Sequence, residues 1–369
     1  MAETTDETYM RRALHLAEKG RGWTSPNPMV GAVLVKNQQI IGEGYHRSAG
    51  TDHAEIVAIK KARGRATGAT LYATLEPCCH TGRTGPCVEA IIEAGIKRVV
   101  YTVRDPDPRV SGRGARRLRG AGITVEKGLF KGEAVTLNES YFAYHRNKRP
   151  FIIVKTAQTL DGRIATMSGQ SKWISSAQSL KMAHRLRADA DAVVIGMGTL
   201  KNDNPALTVR LVKGKNPFRI VLSRSLDFPK TCRLVDDNTD GKTIIISHRE
   251  AIASFLRTKR GRANTLLLWQ VRLGRDGNLD LWEFVAQADK FGLRSLLVEG
   301  GSRVAASFLK AGLVDKYVAV IAPRILGSGV CAVDGLAVKS LEQAVTFDRY
   351  SFQRCGTDSL FIGYPKRVA

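Results

Sequence analysis

Acidic side chains are the scarce component of this chain: 34 Asp and Glu stand against 57 Lys and Arg, for a formal charge of +23. Such an excess suits nucleic acid or small anions. A Lys/Arg tract interleaved with aromatics is also missing. Residues 1–150 carry 24 basic against 15 acidic side chains and the remainder 33 against 19, so the charge is spread over both halves. The expectation is a solvated basic surface that takes small anionic substrates, with no nucleic-acid partner. Six cysteines in 369 residues are too few for a disulfide framework and point to a reduced, cytoplasmic protein. No apolar run reaches the length of a bilayer span, and the start, Glu3 to Glu7, has no apolar signal core. A membrane partner is therefore not expected. With 43% hydrophobic and 25% charged residues the chain can build real cores, and its length suggests about two domains.

The densest chemistry lies between His53 and Cys87: His53-Ala54-Glu55, Thr74-Leu75-Glu76-Pro77-Cys78-Cys79-His80, and Gly82-Arg83-Thr84-Gly85-Pro86-Cys87. One imidazole and two thiolates make a three-ligand zinc shell with a fourth position open to water. A carboxylate beside that position, not ligating the metal, carries a proton from water to a departing amine, and Glu55 is placed for this. The pattern resembles the His-x-Glu and Pro-Cys-x-x-Cys signature of zinc nucleobase deaminases. It departs at Thr81, where the second Cys should stand, and the next candidate is Cys87. The expected ligands are His53, Cys78 and Cys87. Adjacent Cys79 points elsewhere, and the loop with His80 and Arg83 is free to contact an anionic substrate.

Along the first half, Met10, Ala13, Leu14 and Ala17 recur at helical spacing after Asp6, a candidate cap. Strands at 30–35 and 40–44 flank a polar turn, and Asn27, between two prolines, is either a turn residue or an amide that reads a pyrimidine edge. A helix from His53 to Arg63 puts the histidine in its first turn. A strand at 71–75 delivers Pro77-Cys78, and a helix opens at Cys87. Further strands at 98–103 and 123–126 and a long helix from Glu133 to about Arg146 complete an α/β layer sandwich. The boundary falls at His145-Arg146-Asn147-Lys148-Arg149-Pro150, giving domains 1–149 and 150–369.

The second half alternates strands, from Phe151 to Ile321, with helices, the pattern of a mainly parallel sheet. Gly196-Met197-Gly198 lacks the third glycine of a dinucleotide fingerprint. At Val298-Glu299-Gly300-Gly301-Ser302 a strand runs into a helix start. The turn is either an anion site made of free amides or a tight turn with Ser302 as N-cap.

These stretches, with Lys155, Asp161-Gly162-Arg163 and Asp203-Asn204-Pro205-Ala206-Leu207-Thr208-Val209-Arg210, resemble the bifunctional deaminase/reductase family of riboflavin biosynthesis over nearly the whole chain. The resemblance implies a cytidine-deaminase-like α/β/α sandwich followed by a dihydrofolate-reductase-like α/β domain. It implies deamination of 2,5-diamino-6-(5-phosphoribosylamino)pyrimidin-4-one at zinc, then reduction of the ribosyl chain to ribityl with NADPH. On the family's pattern Ala157, Trp173, Thr199, Asp203, Ser223, Gly301 and Ser302 face the cofactor. Lys155, Ser171, Arg187, Leu207, Arg210 and Glu299 face the phosphorylated pyrimidine, with Arg187 and Arg210 suited to its phosphate. Association into a homo-oligomer through the second half is also implied. The chain departs from the family at Gly85, usually Pro, and at Cys79, usually Ser.

Two rival readings make different predictions. A tRNA-adenosine deaminase expects Pro-Cys-x-x-Cys and leaves the second half idle. A non-catalytic zinc scaffold expects four ligands where only three are found.

Overall fold

The computed structural model describes residues 5–81, 85–172, 174–258 and 266–366, and the chain divides into two units, Met1–Lys148 and Arg149–Ala369. Arg83 and Trp173 lie outside the described residues. No described helix is long and apolar enough to cross a membrane.

In the first unit, α1 (Thr5–Glu18) buries Met10, Ala13, Leu14 and Ala17 as its spacing predicts. Asp6 is inside the first turn, not a cap, and its carboxylate accepts from Tyr72 and Arg98. Strands β1 (Gly31–Lys36) and β2 (Gln39–Tyr45) form a hairpin. The chain continues through α2 (Ala54–Ala62), β3 (Thr70–Ala73), α3 (Cys87–Glu93), β4 (Arg98–Tyr101), α4 (Arg113–Gly120) and β5 (Thr124–Lys127). The sheet order is β2-β1-β3-β4-β5; β3 to β5 run parallel, and β1 is antiparallel to β2 and β3.

Glycines on the hairpin set how closely the helices approach. A Cβ at Gly44 would lie 2.2 Å from the Ala54 carbonyl, one at Gly42 2.2 Å from that of Ala58, and one at Gly31 2.0 Å from that of Ala13. The alanine face of α2 therefore rests on bare backbone, and that contact positions the start of α2 over the carboxyl end of β3. The single helix expected from Glu133 is two, α5 (Lys131–Leu137) and α6 (Glu139–Asn147). Asn138 leaves helical geometry between them, and its amide binds both the N–H (2.7 Å) and the carbonyl (2.9 Å) of Met29, bracing the loop that carries Asn27.

The second unit is built on β6 (Phe151–Thr159), β7 (Arg163–Ala165), α7 (Ala177–Asp189), β8 (Ala192–Gly196), α8 (Met197–Asp203), β9 (Phe218–Leu222), α9 (Arg233–Asp236), β10 (Thr243–Ser247), α10 (Arg249–Thr258), β11 (Leu267–Gln270), α11 (Leu281–Phe291), β12 (Ser295–Val298), α12 (Ser302–Lys310), β13 (Lys316–Ala322), β14 (Val330–Cys331), β15 (Phe347–Cys355) and β16 (Asp358–Pro365). Nine strands make one sheet, β11-β10-β9-β8-β12-β6-β13-β16-β15, parallel from β11 to β13; β7 and β14 pair separately. The closing hairpin, β15 and β16, turns the edge antiparallel, and the sequence reading stops short of it. The middles of β8 and β10 are apolar, as a sheet covered on both faces requires: Val193, Val194, Ile195, Ile244, Ile245 and Ile246 have no exposed surface. After β6 the chain crosses to β8, runs outward to β11, then returns to insert β12 between β8 and β6. Such a reversal opens a crevice at the carboxyl ends of the strands, where ligands of α/β sheets bind.

Candidate metal centre and reductase crevice

His53 is the N-cap of α2 and lies just ahead of its first turn, while Cys78 follows β3 and Cys87 opens α3. Their three donor atoms lie within 4.8 Å of one another. His53 Nδ1 is 3.2 Å from Cys87 Sγ and 3.4 Å from Cys78 Sγ. Ligands of a tetrahedral zinc ion would stand about 3.6 Å apart, from Zn–N near 2.05 Å and Zn–S near 2.3 Å. The set therefore fits zinc in both spacing and softness. Cys78 is held well below the ordinary thiol range, first because Cys87 hydrogen-bonds to it and then by His53; that same bond, with burial, pushes Cys87 up. Cys79 Sγ turns away to the Arg109 carbonyl, 3.5 Å distant.

Glu55, 4% exposed, sits in the first turn of α2, two residues after His53. Burial raises its carboxyl above the usual range, and neighbouring His53 works against that rise. His46 is a residue the sequence reading missed. Its ring packs edge-on to that of His53 with centroids 5.3 Å apart, its Nε2 meets Asn27 Nδ2 at 3.1 Å, and its Nδ1 meets the Asp52 carbonyl at 3.2 Å. Donation from the Asn27 amide requires a lone pair on Nε2, so the ring is neutral with its proton on Nδ1, in line with a pKa lowered by burial. Asn27 thus belongs to the metal neighbourhood through His46. His80 is half-buried, and its Nδ1 has no hydrogen-bond partner among the described residues.

In the second unit the register Val298↔Val154 sets Glu299 beside Lys155. Arg187, from α7, grips Glu299 through Nε (2.7 Å) and Nη2 (2.8 Å). The carboxylate already occupies the edge of the guanidinium expected to fork a phosphate. Burial works against ionising Glu299, yet Arg187 holds it below the usual carboxylate range, while burial lowers the Lys155 ammonium. Arg210 is exposed, with Nη1 donating to Thr208 Oγ1 at 2.7 Å. Leu207 is buried at a positive φ of 52°, a strained conformation for a branched side chain.

Gly301, not Ser302, is the N-cap of α12, so no side chain caps that helix. A Cβ at Gly301 would lie 3.3 Å from Thr199 Oγ1, and one at Gly300 only 2.5 Å from Ile195 Cα. The turn therefore lies against the end of β8 and the start of α8, and the helix start that no side chain caps suits a phosphate. Ser171 Oγ donates to Asp203 Oδ1 at 2.9 Å. Ala157 is half-buried on β6, and Ser223 is 2% exposed with its hydroxyl accepting from Leu226 N.

Fold and site together define a zinc-dependent nucleobase-type deaminase joined to a nucleotide-dependent reductase. Residues 3–103 match the cytidine and deoxycytidylate deaminase zinc-binding region, and residues 150–361 match the RibD C-terminal domain. The chain belongs to the RibD family: it is a bifunctional deaminase and reductase of riboflavin biosynthesis that uses zinc and NADPH. It is 43% identical to the riboflavin biosynthesis protein RibD of Aquifex aeolicus over 97% of this chain and 98% of that protein. Against the Escherichia coli protein of that name the identity is 41%, over 96% and 97%. Among solved structures, a diaminohydroxyphosphoribosylaminopyrimidine deaminase/5-amino-6-(5-phosphoribosylamino)uracil reductase from Thermotoga maritima superposes with a TM-score of 0.85 at 35% identity, covering 98% of this chain and 99% of that one. Acinetobacter baumannii RibD does so at 0.86 and 31%, with the same coverage.

Proposed function

We propose that residues 1–149 deaminate 2,5-diamino-6-(5-phosphoribosylamino)pyrimidin-4-one and that residues 150–369 reduce the ribosyl chain of the product, giving 5-amino-6-(5-phosphoribitylamino)uracil. The observation that carries this reading is the convergence of His53, Cys78 and Cys87 around one point, with the buried Glu55 in the helix turn that His53 caps. When bound, zinc supplies Lewis-acid activation of water and NADPH supplies hydride. Glu55 takes the proton of the attacking water and hands it to the leaving amino group, a transfer its burial favours by making the protonated form accessible. Asn27, oriented by His46, and the loop with His80 and Arg83 hold the pyrimidine and its anionic tail.

In the reductase half, the uncapped α12 start at Gly301 and Ser302 binds a cofactor phosphate, with Ala157, Trp173, Thr199, Asp203 and Ser223 around the nucleotide. Lys155, Ser171, Leu207, Arg210 and the Arg187–Glu299 pair face the substrate. Within that pair, Arg187 orients Glu299 and contributes positive charge, and the phosphate contact falls to the exposed Arg210. The chain acts in the cytoplasm and forms a homo-oligomer, a reading supported by the largely exposed Tyr350 and Phe352 on edge strand β15.

The test is Glu55→Gln in the full chain, following ammonia release and NADPH absorbance separately. Deamination should fall roughly 10²- to 10⁴-fold, the usual contribution of a positioned acid–base group. Bound zinc and reduction of supplied deaminated substrate should be unchanged. A variant that still deaminates near the wild-type rate would remove Glu55 from the chemistry.

A further inference from the structure

His184 has no place in the assignments above, yet it sits among them. It lies on α7 one turn before Arg187, is 1% exposed, and carries the charges of Arg187, Arg210, Glu299 and Lys155 around it. Its Nδ1 accepts the backbone N–H of Arg210 at 3.1 Å. That geometry leaves the ring proton on Nε2 and the ring neutral.

Asn216 Oδ1 accepts from Val209 N at 2.8 Å, and Arg187 Nη1 reaches the Thr208 carbonyl only at 3.5 Å. The Arg210 N–H meets the buried His184 side chain and needs an acceptor there, and beside Glu299 an uncharged one avoids repulsion. A carboxylate in this place would compete with a substrate phosphate for Arg210 and with Glu299 for Arg187, and would repel Glu299. Neutral imidazole satisfies the amide, leaves Arg187 paired with Glu299, and leaves the exposed Arg210 guanidinium free for an anion.

We infer that His184 is a positioning residue for the reductase step: by accepting the Arg210 N–H it fixes Thr208 to Arg210 against α7 and aims the Arg210 side chain at the phosphate of the pyrimidine substrate. The inference rests on the proposed substrate role of Arg210. It predicts a binding defect confined to one ligand, since the hydrogen bond touches neither the α12 turn nor the deaminase unit.

The experiment uses the full chain with His184→Leu, His184→Asn, His184→Gln, Arg210→Ala and the Leu/Ala double variant. Reductase kcat and KM are measured for the deaminated ribosyl phosphate and for NADPH, with deaminase rate as an internal control. In Asn the side-chain oxygen stands near the position of Nδ1, whereas in Gln it reaches toward Nε2. His184→Leu should raise KM for the phosphorylated substrate about tenfold, as expected for a lost buried acceptor. KM for NADPH and the deaminase rate should stay within twofold. His184→Asn should recover most of the loss, His184→Gln should not, and the double variant should be no worse than Arg210→Ala alone. If Leu proves unfoldable, the contrast between Asn and Gln decides. Equal impairment by Asn and Gln, parallel rises in both KM values, or an unchanged substrate KM in the His184 variants while Arg210→Ala raises it, would each overturn the inference. An Arg210→Ala variant with unchanged substrate KM would instead defeat the assignment of Arg210 beneath it.

Discussion

Removing the guanidinium of Arg149 should weaken the reductase unit far more than an ordinary change at a linker. Arg149 donates through Nη1 (2.7 Å) and Nη2 (2.9 Å) to Asp315, whose carboxylate also accepts from Ile152 N at 2.9 Å. The two side chains are 11% and 5% exposed, so the pair is enclosed where β6 begins and β13 approaches. Taking away one partner of a buried pair costs about 3–5 kcal/mol, because the other charge stays behind. The residual exposure of Arg149 and the retained Ile152 bond place Arg149→Met near the lower end, about 3 kcal/mol. In a unit of this size each kcal/mol lowers Tm by about 2–4 °C, so the drop should be roughly 6–12 °C. Differential scanning calorimetry at pH 7 reads it directly, and the relevant transition is the one that added NADPH moves upward. An Arg149→Met/Asp315→Leu variant should recover much of the loss, since no charge is then stranded. A drop below about 2 °C, or a double variant no better than the single, would refute the reasoning. The same pair bears on dissection: a fragment starting at Pro150 has lost it, and one starting at Arg149 has not.

Stripping zinc with a chelator should abolish ammonia release and leave NADPH oxidation with deaminated substrate intact; parallel loss of both activities would contradict separate sites. Asp105 accepts from Tyr141 Oη and Asp107 N, and burial pushes its carboxyl up to about 7 from 3.8. The folded state therefore binds a proton that the unfolded state releases between those values, so this group's stabilisation is full below about pH 4 and is lost as pH rises toward 7. Asp105→Asn keeps the accepting oxygen without the charge and should shrink the fall in Tm between pH 5 and pH 8; an unaltered fall would count against the assignment. Gly44→Ala forces a methyl to 2.2 Å from the Ala54 carbonyl. Overpacking of that kind costs about 1–3 kcal/mol, and deamination should drop while reduction persists. Full deaminase activity in this variant would show that α2 can shift without harm.

What could be read from the chain and what could not follow from the range of the interactions. Cys78 and Cys87 each sit where a strand ends or a helix begins and carry a preceding proline, so local pattern alone marked them. His46 carries no such mark: its partner Asn27 is 19 positions away, and only the folded hairpin brings the two together. The Arg187–Glu299 pair spans 112 positions, and it redirected a guanidinium that the family resemblance suggested for phosphate. The α5/α6 break followed from Asn138 binding Met29, 109 positions back, which helical periodicity cannot foresee. Strand β15 escaped for a different reason. It is exposed on nearly every residue, so the period-two alternation that betrays a half-buried strand is absent.

The contact between the hairpin glycines and the alanines of α2 also limits how the deaminase half can change. Glycine set against main chain leaves few rotamers to adjust, so the seat of α2, the helix that carries Glu55, is set largely by backbone. Retuning this centre for a differently sized heterocycle would fall mainly to the loops around Asn27 and His80, because glycine and alanine leave the seat of that helix little for selection to trim.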